Sequence, residues 1–126
     1  MNKSVLKPHM KNEYLFIKKS KEDMLLEFPT ENKTKEQELT IKTLDAKLFI
    51  YSGLYNNNKT HYDKGIKKFK KSTIEALEIT ADVGCSIVNN DKSVDILDNS
   101  EAVRQLGIVL KEEYDEYVML GSVFFG

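Results

Sequence analysis

The sequence predicts an α+β domain dominated by helices, in the order β-hairpin, two amphipathic helices, β-hairpin, C-terminal helix. Three observations carry that expectation. Apolar residues recur at steps of three and four between Thr34 and Asp82, and again after Asp98. That spacing gathers side chains on one face of a helix. Thr34 with Gln37, and Asp98 with Glu101, have the spacing of helix-opening capping boxes. Short apolar runs around polar, turn-forming residues precede the first helix and separate the second from the third.

The N-terminal stretch from Met1 to Asn12 is polar and carries Pro8, so it is expected to be a mobile lead-in. Tyr14 to Ile17 and Met24 to Phe28 are apolar runs either side of Lys18 to Asp23, which reads as a hairpin closed by Pro29. The first helix follows from Thr34, with Ile41, Leu44, Leu48, Tyr51 and Tyr55 on its inner stripe. A strand at Lys47 to Tyr51 competes, because that run is apolar and aromatic. Lys, Glu, Gln and Leu before it favour the helix. Asn56 to Asn58 end it.

The second helix is expected from about His61 to Asp82, with Ile66, Phe69, Thr73, Leu77 and Ala81 facing inward and Gly84 as its stop. The alternation from Leu77 to Ile87 also fits a strand, and Ser72 with Glu75 offers a later start for the helix. A second hairpin is expected from Ser86 to Leu97 around Asn89 to Lys92. The last helix then carries Val103, Leu106, Leu110, Tyr114 and Tyr117 on one stripe. After it Gly121 breaks an apolar tail, Val118 to Gly126, whose Phe124 and Phe125 call for burial in the core or in a partner.

A chain of 126 residues is one domain by default and can bury a core without staples. One cysteine excludes an intrachain disulfide. No stretch approaches a membrane span and no signal-peptide pattern opens the chain, so a cytoplasmic location without a membrane partner is expected. Lysines outnumber arginines 18 to 1, a bias that also follows from an AT-rich gene.

Charge is unevenly placed although the total is only −1. Residues 59–71 carry a net +5, and the chain from Glu75 onward a net −8. Lys64, Lys67, Lys68 and Lys71 share one helical face that could neutralise phosphates. A single arginine leaves few bidentate forks for base reading. Glu112, Glu113, Asp115 and Glu116 concentrate acid on the last helix, which suits a basic partner surface. The competing reading of both faces is solvated surface.

Catalytic signals are weak. His9, His61 and Cys85 have no metal-ligand spacing, and neither a nucleophile elbow nor a phosphate-cradling glycine loop is present. No cofactor, no metal and no enzyme activity is therefore expected. The expected function is that of a small non-catalytic protein that binds another protein, as inhibitor, regulator or assembly component. Compact accessory proteins of mobile elements share this profile. The candidate protein interface is Glu112, Glu113, Asp115, Glu116, Phe124 and Phe125. Two alternatives stand beside it: a nucleic-acid-binding module using the lysine face, and a binder of a small anionic ligand between the helices. Self-association through the tail is a further expectation.

Overall fold

The computed structural model describes residues 3–27, 34–88, 91 and 93–126. Four long helices make up most of it: α1 (Lys3–Glu27), α2 (Lys35–Tyr55), α3 (Lys59–Val83) and α4 (Asn99–Phe125). Between α3 and α4 lies a short antiparallel ribbon of β1 (Cys85–Val88) and β2 (Val94–Leu97). Its register pairs Cys85 with Leu97 and Val88 with Val94.

The expected α+β class is therefore wrong, and the first predicted hairpin is where it fails. One continuous helix, α1, runs through Tyr14 to Ile17, through Lys18 to Asp23 and on to Glu27. The polar stretch taken for a turn is simply the middle of that helix. The predicted close of the hairpin, Phe28 and Pro29, lies outside the described residues, as does most of the Asn89 to Lys92 turn. The lead-in is also helical from Lys3, and Met10 is buried in the core. Pro8 sits in the second turn of α1, where it forgoes one ladder bond but leaves the rest of the helix intact.

The other helices start where their caps place them. The Thr34 hydroxyl accepts the Gln37 N–H at 3.2 Å, and the Gln37 side chain accepts the Thr34 N–H at 3.0 Å, a complete capping box. Asn58 caps α3 by accepting the His61 N–H at 3.1 Å. Asp98 caps α4 by accepting the Glu101 N–H at 2.9 Å. The Glu101 carboxylate turns instead to Arg104 and Gln105, which hold it down to about 2. Gly84 ends α3 at φ +70, a conformation that favours glycine. Asn99 ties the two helices together by donating to the Ala81 carbonyl at 2.8 Å.

Each helix packs antiparallel to the next. Lys21 meets Asp45 and Tyr14 meets Tyr55 across α1 and α2. Gly53 meets Tyr62 and Gly65 meets Ile50 across α2 and α3, while Tyr62 meets Gly121 and Gly107 meets Leu77 across α3 and α4. In every pair of helices one number rises as the other falls. The α2–α3 contact is the closest. A Cβ at Gly65 would lie 2.6 Å from the Ile50 nitrogen and 2.8 Å from the Ala46 carbonyl oxygen, so the two backbones touch there. Because α2 is covered by α1 on one side and α3 on the other, it buries Ala46, Ile50, Tyr51 and Leu54.

An aromatic cluster joins α2, α3 and α4. Tyr117 makes edge-to-face contacts with Tyr51 (5.7 Å) and Phe69 (5.2 Å). Such pairs contribute about 0.5–1.5 kcal/mol each beyond their area. The apolar tail belongs to this core. Gly121 does not break α4 but makes room for the Tyr62 ring, whose hydroxyl donates to the Tyr117 carbonyl at 2.7 Å. Phe124 is buried, and Phe125 lies against Tyr62 with centroids 5.3 Å apart.

Candidate binding surfaces

The acidic cluster on α4 is divided by the helix itself. Glu113 points inward, where it accepts the Tyr117 hydroxyl proton at 2.7 Å and pairs with Lys47 of α2 at 2.7 Å. It helps dock α4 on α2 and is not free for a partner. Glu112, Asp115 and Glu116 face solvent. Ile108, Glu112, Asp115 and Met119, at steps of four, three and four, form one outward stripe. Ile108 is 48% exposed and Met119 55%, with Val109 beside them at 58%. This stripe combines carboxylates with uncovered apolar side chains. In the sequence the acids stand out, and Met119 belongs to the apolar tail, but Ile108 and Val109 before the acids do not, because the inner stripe dominates the pattern there. Of the tail residues proposed for an interface, Phe124 is taken up by the chain's own core and Phe125 is half-buried. The two phenylalanines therefore do not supply a free surface for self-association, while Val118 and Met119 of the same tail stay exposed.

The lysine face is divided as well. Lys64 and Lys68 lean over the Phe49 ring, with their ammonium nitrogens 4.8 and 5.4 Å from its centroid. Lys68 also pairs with Asp45 at 3.5 Å. Asp45 takes a second, closer lysine, Lys21 of α1, at 2.9 Å. Partial burial pushes the Asp45 carboxyl up, but the two lysines together outweigh it and hold it below its usual value. Lys67 and Lys71 are exposed. The stripe is thus partly committed to holding α1, α2 and α3 together.

Among the concave regions beside α3, two bear on the candidate surfaces. One, between α2 and α3, is lined by Lys42, Asp45, Lys68, Lys71, Ser72 and Glu75. The other, between α3 and α4, is an apolar groove of ≈280 Å³ over Ile74, Leu77, Leu110 and Tyr114, with Lys70 and Lys111 at its edge. Gly107 deepens it by carrying no side chain. Neither region was visible in the sequence, since each is assembled by two helices whose pairing register the sequence does not display. Ser72 and Glu75, read as a late helix start, sit in the middle of α3 instead.

The chemistry-bearing residues are dispersed. His9 on α1 lies 4.0 Å from Glu13, and His61 on α3 stands edge-on to Phe49 at 5.7 Å. The side chain of Cys85 lies outside the described residues. Among the described residues no helix is long and apolar enough to cross a membrane. Comparison with protein-family models, with curated proteins and with solved structures finds no match to this chain.

Proposed function

We propose that the chain acts by binding another protein through the outer face of α4. The observation that supports this reading is the stripe Ile108, Glu112, Asp115 and Met119, flanked by Val109 and Glu116. Apolar side chains left uncovered on an otherwise packed helix mark a surface that gains from being covered. The carboxylates among them select the partner: its surface is basic, with an apolar patch at its centre. Helix packing holds the stripe in place, because Glu113, Tyr117, Leu120 and Phe124 anchor the opposite face of the same helix. The partner therefore meets a preformed surface, which lowers the ordering cost of association.

The nucleic-acid reading has less support, since Lys64 and Lys68 are drawn onto Phe49 and Asp45. Charge reversal tests the proposal. Immobilised wild-type chain should retain a discrete protein from native-cell lysate after nuclease treatment. The variant carrying Glu112→Lys, Asp115→Lys and Glu116→Lys should lose it, and Lys67→Gln should keep it. Retention by the triple variant would overturn the assignment.

A further inference from the structure

The cleft between α2 and α3 has a volume of ≈230 Å³ and draws Lys42, Asp45, Lys68, Lys71, Ser72 and Glu75 to one place. Ser72 is the unusual member. A hydroxyl buried in a helix ordinarily donates to the carbonyl one turn back, as Thr73 does to Phe69 at 2.7 Å and Thr80 to Ala76 at 2.8 Å. Ser72 is only 6% exposed as a residue, and its hydroxyl takes part in none of the hydrogen bonds of the described residues; since no buried side-chain oxygen among them lacks a partner, that hydroxyl opens onto the cleft. It is therefore a donor that a molecule entering the cleft can meet.

Its neighbours have cationic capacity to spare. Lys42 stands 3.7 Å from Glu75 and Lys68 stands 3.5 Å from Asp45, both longer than the roughly 2.7–2.9 Å of a tight charge-assisted bond. Asp45 already has its close partner in Lys21 at 2.9 Å. Lys71 adds a third ammonium at the cleft. Counting Lys21, four ammoniums stand against two carboxylates.

We propose that this cleft binds a small phosphate-bearing molecule, with phosphate oxygens accepting from Ser72 and from the ammoniums of Lys42, Lys68 and Lys71. A phosphate group suits the site better than a carboxylate. It brings up to two charges and three acceptor oxygens, enough to engage several separate donors at once. At ≈230 Å³ the cleft falls below the range of drug-sized pockets, which starts at about 300 Å³, so it suits a phosphate-sized group rather than a larger ligand. The Ser72 hydroxyl, at the wall of the cleft, is placed for a group that enters the cleft rather than one that tracks along the helix. The site shares no residue with the outer face of α4, so either assignment can fail without the other.

The test is titration of the full chain with inorganic pyrophosphate, followed by amide chemical shifts and calorimetry. Saturable binding is expected, with the shifts centred on Asp45, Lys71 and Ser72. Lys42→Gln and Lys71→Gln should each weaken it about tenfold, the loss of one good contact. Ser72→Ala should weaken it several-fold. Lys70→Gln, the same charge change on the other side of α3, should leave it unaltered. Absence of saturation, or equal weakening by Lys70→Gln, would overturn the proposal. A single-stranded oligonucleotide that binds more tightly than pyrophosphate would overturn it too, in favour of a nucleic-acid surface.

Discussion

Tyr62 lies across the backbone of α4 at Gly121, and a Cβ on Gly121 would fall on the Tyr62 ring. The ring cannot move away freely, because it is buried and its hydroxyl is held by the Tyr117 carbonyl. Gly121→Ala is therefore expected to destabilise the fold by about 1–3 kcal/mol through overpacking. Tyr62→Phe should cost about 1 kcal/mol, the net contribution of one hydrogen bond. In the double variant the costs should not add, since both act on one contact. Urea unfolding of the three variants measures all of this.

The helical glycines at 65 and 107 should respond in opposite directions. At Gly65 the obstructing atoms are backbone atoms of α2, so Gly65→Ala forces the helices apart at a cost of about 3 kcal/mol. At Gly107 the nearest atom is Leu77 Cδ2 at 3.8 Å, an ordinary contact. There alanine should stabilise by up to about 1 kcal/mol through helix propensity alone. Thermal unfolding of the two single variants distinguishes the cases.

Asp45 makes stability depend on pH in the acid range. Its folded pKa lies below the unfolded value of about 3.8, because Lys21 and Lys68 favour the carboxylate. The stabilisation is present above the unfolded value and is lost as pH falls through the folded one. The stability difference between wild type and Asp45→Asn should thus be largest near neutral pH and shrink below about pH 4. The groups are partly exposed, so added salt should reduce the difference as well.

Tyr117 makes the complementary prediction in alkali. Burial first, then the nearby Tyr51 and Glu113, push its phenol far above the usual tyrosine value of 10.0. A raised folded pKa contributes stability below the unfolded value that is lost as pH rises. The chain should become less stable above about pH 10, with Tyr117 ionising only as the fold opens. Tyr117→Phe should cost about 1 kcal/mol at neutral pH and reduce this alkaline sensitivity. Ultraviolet absorbance and circular dichroism followed together through the titration test it.

Two of the four helices were legible from their caps, since Thr34 and Asp98 each accept an N–H of the first turn. The third, α3, was legible from its apolar stripe, but Asn58, read only as an end of the preceding helix, is its cap and starts it at Lys59. α1 was not legible. Leu6, Met10, Tyr14 and Ile17 lie in or against the core at helical spacing, but Leu15, Phe16, Leu25 and Leu26 remain in water on other sides. Apolar residues on every side blur the period, and the short runs they leave resemble strands. Gly121 misled for a related reason. A glycine in a helix reads as a stop until the ring it accommodates is known. Of the candidate surfaces, the acids of α4 were readable as residue types. The inward turn of Glu113 and the cleft around Ser72 depend on how helices pair, which is set by packing across the chain.

The central claim is that the outer face of α4 is the binding surface, and a photo-crosslinker placed there tests it most directly. Incorporated at position 115, between Ile108 and Met119, it should yield one discrete crosslinked protein in native cells. The adduct should disappear when Glu112 and Glu116 are changed to Lys, and a probe at position 67 should not form it. If position 115 yields no adduct, or the same adducts as position 67, the face of α4 is ordinary solvated surface and the account is wrong.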